Sequence, residues 1–252
     1  MAMIVDPIGA AVAAVLAAGA LYRSISGLRG TFTAGLWVAS VSMAISAAVI
    51  PLDAALKSVT GLDNLSQLVC YSGMVISSYL IAHTTYRLAA INPTWPIVYT
   101  AVSIAGMLAL YCATELRHTQ TLAIETVPGA ASAWFAIFYA LGLLPTHIAA
   151  IIGVAKAKHK DTAMIWLLGT YGAVGAINPA IIVGDHIGTH TLRWPLSVTY
   201  PLVWVVLFIS FAALSAAGII AARRKHTDGQ PVAEVASTVE PARAPTTGEQ
   251  DC

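Results

Sequence analysis

The chain has 252 residues, of which 58% are apolar and 10% charged, and its formal net charge is +1. A soluble domain usually carries about a quarter charged residues, so charge this sparse cannot coat a water-facing globule. The composition points to a surface bathed in lipid, and basic residues scattered over loops offer no face for nucleic acid.

In chain order, apolar runs fall at about 4–22, 32–51, 65–83, 94–112, 131–153, 162–184 and 200–222. Each approaches the roughly twenty residues that a helix needs to cross hydrocarbon. Inside lipid a continuous, non-alternating run satisfies its own backbone only as a helix. The expected fold is all-α: a polytopic bundle of seven transmembrane helices over residues 1–225, lodged in the cell membrane. The first run has no basic residue ahead of its apolar core, and Arg23 and Arg29 follow it. A secretion signal has the reverse order, so a retained first helix is expected.

Loop charges set the expected orientation. Arg23, Arg29, Arg87, Lys156, Lys158, Lys160, Arg223, Arg224 and Lys225 fall on one side, against Lys57, Arg117 and Arg193 on the other. The positive-inside bias then puts the N-terminus outside and the C-terminus in the cytoplasm. Trp95 and Trp166 fall near the inner interface and Trp134, Trp194 and Trp204 near the outer one, the pattern of interfacial anchors. The basic segments "KAKHK" (156–160) and "RRK" (223–225) read as headgroup contacts. Residues 226–252 are rich in Pro, Thr, Glu and Ala with few large apolar side chains, and read as a disordered cytoplasmic tail.

What the apolar runs lack narrows the chemistry. No Asp, Glu, Lys or Arg lies in the central part of any run. That removes carboxylate proton relays and the buried lysine of a retinal Schiff base. Cys70, Cys112 and Cys252 form no cluster of metal spacing. No catalytic residue, metal site or cofactor is expected, and the chain does not read as an enzyme.

The ligand-path candidates are His147, Asn178, Pro179 and Pro145. His147, in "LGLLPTHIAAIIG", is the one titratable group well inside a run, and Pro145 removes a backbone donor two residues earlier. An imidazole at this depth either binds a ligand, shuttles a proton or sits neutral on a neighbouring helix. In "GTYGAVGAINPAIIVGDHIGTH", Pro179 is expected to kink the helix and disfavour helical geometry at Asn178. The alternatives are a broken helix that points backbone groups at a ligand, or a kinked one whose amide is satisfied by neighbours. Gly169, Gly172 and Gly175 read as small-residue helix packing. Asp185, His186 and His190 are outer-loop candidates: two histidines four apart share a face if helical, but Gly188 weakens the helix between them. In "TGLDNLSQL" (60–68), Asp63 or Asn64 is expected to cap the run that follows.

Two segments carry a family resemblance: Tyr22-Arg23 with Leu28-Arg29 after the first helix, and Pro51, Asp53, Thr60, Gly61, Asn64 and Leu65 before the third. In these the chain, over about residues 10–222, resembles a family of actinobacterial seven-helix integral membrane proteins that carry a transporter label. Members commonly add a sizeable soluble C-terminal domain, and here a short tail follows the last run. The resemblance implies a multi-pass membrane protein with a transporter-like role. The alternative is a membrane sensor or partner-binding module for a cytoplasmic regulator. Expected partners are the lipid bilayer and either a small-molecule ligand or a cytoplasmic regulatory protein; a homo-oligomer stays open.

Overall fold

The computed structural model describes residues 6–88, 94–121, 124, 127, 129–156, 162–187 and 196–227. Its helices are α1 (Pro7–Ile25), α2 (Thr31–Ala47), α3 (Val49–Thr60), α4 (Leu65–Leu88), α5 (Thr94–Ala113), α6 (Ala130–Lys156), α7 (Thr162–Ile187) and α8 (Leu196–Thr227), with a 3-10 turn at Glu115–Arg117. Among the described residues, six helices are long and apolar enough to cross a membrane, and α2 with α3 makes a seventh if that bent pair is one span. The chain is an all-helical, multi-pass membrane protein.

The run at 32–51 is not one straight helix, contrary to expectation. The chain turns by 82° between α2 and α3. Pro51 explains where: it has no N–H to donate, so it suits the first turn of a new helix better than the interior of an old one. Asp6 fixes the same corner from the other side. Its carboxylate accepts from the Ile8 N–H at 3.0 Å and caps α1, while its own N–H donates to the Ala47 carbonyl at 2.9 Å.

The helices α1, α2, α4, α6, α7 and α8 close a ring, in that order, with α5 outside it against α4 and α6. Ile97, Val98, Val102 and Leu108 of α5 remain exposed, the surface that lipid would cover. Lipid gives helices no hydrophobic reason to associate, so close packing and interhelical hydrogen bonds must hold the ring. Small residues allow the approach. A Cβ on Gly19 would collide with Ser215, one on Gly73 with Ser42, and one on Gly142 would lie 2.6 Å from Val75.

Hydroxyls stitch neighbouring backbones across the ring. Ser40 donates to the Ala13 carbonyl at 2.8 Å, Ser77 to Gly35 at 2.8 Å and Ser215 to Val15 at 2.8 Å. Ser78 reaches the Leu143 carbonyl at 3.2 Å, and Ser210 reaches Tyr171 at 3.3 Å. Each such bond contributes on average about 0.6 kcal/mol in a membrane bundle. At one end of the ring Arg23 donates to Thr33 at 3.1 Å and to the Gly218 carbonyl at 3.2 Å, with its guanidinium 4.7 Å from the Phe32 ring centre.

At the other end, the segment joining α5 to α6 is bolted to the α3–α4 corner. Asn64 adopts φ 58°, a left-handed conformation that asparagine tolerates better than most residues. From there its amide donates to the Leu116 carbonyl at 2.8 Å and the Thr119 carbonyl at 2.7 Å. Gln67 donates to the Thr121 carbonyl at 2.8 Å and to Asn64 Oδ1 at 3.1 Å, and accepts from the Ile124 N–H at 2.8 Å. The Tyr111 hydroxyl adds a bond to the Asp63 carbonyl at 2.6 Å. The cap of α4 differs from expectation: Asp53 of α3, not Asp63 or Asn64, accepts the Ser66 N–H at 2.8 Å. The Asp63 carboxylate instead pairs with Lys57 at 2.8 Å.

Tryptophan placement also needs one correction. Trp134 and Trp166 are exposed, as anchors would be, whereas Trp204 is buried. It packs where α8 meets α1, its ring 3.3 Å from the position a Cβ on Gly9 would take.

Candidate functional site

Four ring helices enclose a small cavity at mid-depth. Ser77, Gly175 and Ser210 on its walls each fall within two residues of the middle of α4, α7 and α8. Met74, Ser77 and Ser78 come from α4, and Leu143, Thr146 and His147 from α6. Helix α7 gives Tyr171, Gly175 and Asn178, and α8 gives Leu207, Ser210 and Phe211. The space open to the centre of a water-sized sphere is about 20 Å³, which suits one water-sized guest.

His147 and Asn178 therefore line the same cavity, although 31 positions separate them in the chain. Each is buried, at 7% and 2% exposure. The His147 ring lies 5.2 Å from that of Tyr171. Among the described residues its Nδ1 has no partner, and neither has Asn178 Oδ1. Buried polar atoms are rarely left this way, because removing them from water without a replacement bond costs about 1–3 kcal/mol.

Gly175 makes the arrangement possible. A Cβ there would collide with His147 Cε1 and would lie 2.5 Å from Nδ1 and 2.8 Å from Ser210 Oγ. The small-residue packing expected of the "GTYGAVGA" stretch describes Gly172, whose Cβ would meet Ala150 and Ile151 at 3.1 Å. Gly175 has another purpose: it leaves room for an imidazole.

Neither proline interrupts its helix. α6 runs through Pro145 and α7 through Pro179, so the non-helical geometry expected at Asn178 is absent. A true break would expose several backbone groups to hydrocarbon, whereas a proline inside a continuous helix frees only the carbonyl four residues back. For Pro179 that carbonyl belongs to Gly175. Pro145 keeps its own carbonyl in use, accepting from the Tyr86 hydroxyl at 3.0 Å.

Asp185 and His186 fall in the last turn of α7, and His190 lies outside the described residues. Among the described residues no group of three or more His, Cys, Asp or Glu could hold a metal ion.

Sequence reasoning missed Ser77, Ser78, Thr146, Tyr171 and Ser210. In a single apolar run a serine looks like any small packing residue, and nothing marks which serines will face one another. The available signal was the Ser-Ser pair at 77–78 and the isolated Ser210, each placed mid-run where water is absent.

No family model matches the chain, and no curated protein or solved structure is significantly similar to it. The family resemblance therefore rests on Tyr22-Arg23, Leu28-Arg29, Pro51, Asp53, Thr60, Gly61, Asn64 and Leu65 alone.

Proposed function

We propose that this chain is a transporter-like protein of seven crossings, with its N-terminus outside and its C-terminus in the cytoplasm, that passes a small polar solute through the α4–α6–α7–α8 cavity. Binding and passage, not catalysis, are its task. One observation supports this above the others: two buried side chains from different helices, each with a polar atom unpartnered among the described residues, line one mid-depth cavity. Such groups are costly in a membrane core and commonly mark a substrate or ion pathway.

The test is flux. In proteoliposomes under an imposed gradient, the wild-type chain should carry protons, methylammonium or potassium faster than protein-free vesicles. Asn178→Leu and His147→Ala should abolish the excess. Equal flux with and without the chain for all three probes, or flux that ignores both substitutions, overturns the proposal.

The length of α8 favours a second reading, a sensor for a cytoplasmic regulator. At 32 residues it spans roughly 48 Å, more than a hydrocarbon core of about 30 Å. It runs from Ser210 at the cavity to Arg223 and Arg224 beyond it, so occupancy could be relayed along one rigid element. Co-purification of a regulator that is lost with Ser210→Ala, without any flux, would select this reading.

A further inference from the structure

We infer that the Arg23 end of the ring binds the phosphate group of an anionic phospholipid, at the seam where α1, α2 and α8 meet. Arg23 lies in the last turn of α1. Its Nε donates to Thr33 Oγ1 of α2 at 3.1 Å and its Nη1 to the Gly218 carbonyl of α8 at 3.2 Å, while the Phe32 ring centre is 4.7 Å from Cζ. Gly218 leaves room for the stem, since a Cβ there would lie 3.2 Å from Arg23 Cδ. The guanidinium is thereby fixed in place, yet these bonds use only two of its five N–H donors. Among the described residues both protons of Nη2 have no acceptor, and the half-buried side chain does not seal them in.

Among the described residues the Arg23 charge also has no carboxylate beside it. The acidic side chains described lie at the opposite end: Asp6 caps the start of the helix that Arg23 ends, and Asp53, Asp63 and Glu115 belong to the α3–α4 corner and the turn bolted to it. Arg29, Arg223 and Arg224, all exposed, add positive charge at the Arg23 end. The Leu28 N–H donates to the Arg23 carbonyl at 2.9 Å, which folds the turn carrying Arg29 back onto it. Arg223 lies 6.0 Å over the ring of Tyr22. A fixed guanidinium with spare donors calls for an outside anion, the neighbouring charges attract one, and an arginine fork matches phosphate two bonds at a time.

Position selects the source. Leu21 is 50% exposed and Ile25, the last residue of α1, 77%. Apolar side chains left bare to the end of a spanning helix are covered by acyl chains, so the headgroups of that leaflet stand level with Arg23 and Arg29. The cluster attracts a headgroup of net negative charge and repels the choline of a zwitterionic one. A seated phosphate would brace the contact by which α8 closes the ring on α1.

Native mass spectrometry of the full chain in detergent tests this without any flux. The chain should retain one phosphatidylglycerol saturably, about tenfold more tightly than phosphatidylcholine of the same acyl chains. Arg23→Gln should erase that preference while leaving weak retention of both lipids. Arg23→Lys, which keeps the charge but loses the fork, should restore only part of it. Equal retention of the two lipids by the wild-type chain, or an intact preference in Arg23→Gln, overturns the inference. Displacement of phosphatidylglycerol by millimolar inorganic phosphate would overturn the lipid as the source. Should Arg23→Gln fail to fold, Arg29→Glu changes an exposed side chain outside the three-helix junction. There the phosphatidylglycerol preference should fall about tenfold with phosphatidylcholine retention unchanged, and a preference left intact in that folded variant also overturns the inference.

Discussion

Helix α4 serves two buried polar clusters that are built on opposite terms. At its first turn, Asn64 and Gln67 have their amide groups bonded to the 114–124 segment and to each other. Near its middle, Ser77 and Ser78 look onto a cavity where His147 and Asn178 keep unpartnered atoms. Both pairs are buried to a similar degree. The difference lies in who completes the bonding. A fully satisfied network rigidifies its surroundings and has nothing left to offer a ligand. A network with spare lone pairs is incomplete until something else arrives. The first cluster is a clamp and the second a receptacle, and mutations should separate them.

The largest expected effect is at Asn64. Asn64→Asp keeps the shape but replaces two donors with oxygen, set against the carbonyls of Leu116 and Thr119. A buried, uncompensated charge costs about 3–5 kcal/mol. Thermal unfolding in detergent, followed in a Cys112→Ser, Cys252→Ser background by a thiol-reactive dye that then reads only the buried Cys70, should show a chain that barely folds. A wild-type melting curve would mean that the clamp contributes nothing.

Gln67→Leu should come next. It removes the bonds to the Thr121 carbonyl and the Ile124 N–H while keeping the apolar bulk, which predicts a loss of about 1–3 kcal/mol. Asp53→Ala should cost less, about 1 kcal/mol, because it removes a single cap from the α4 N-terminus. Hydrogen exchange of the Ser66 amide gives the sharper reading of that cap: protection should fall there and persist at Leu68, which bonds to the Asn64 carbonyl.

How much of this was visible in the chain itself follows from the range of each interaction. The membrane class and the approximate helix positions come from local apolar length, which one run reveals unaided. The break at Ala48 was hidden, since the run 32–51 stays apolar across it and Pro51 reads equally well as the start of a loop. His147 and Asn178 stood out because polar groups in apolar runs are rare. That they face one cavity depends on the crossing of α6 with α7, and on Gly175 lacking a Cβ. Neither fact has a local signature. The Asn64 clamp reaches more than fifty residues along the chain, so a short motif there looked like a helix cap.

The smallest expected effect is the one that best distinguishes the two clusters. Asn178 is as buried as Asn64, and burial alone would predict a similar penalty for replacing it. The bonding balance predicts otherwise. Asn178→Leu removes an oxygen that has no donor among the described residues, and it fills space beside Leu207 and Phe211. Replacing an unsatisfied polar group with an apolar one of similar shape can be neutral or stabilising, so the melting temperature should stay level or rise, within about 1 kcal/mol. Flux should vanish in the same variant. A protein made sturdier and inert by one substitution would show that the spare lone pair serves a guest. A loss of stability as large as that at Asn64 would show instead that Asn178 is a second clamp.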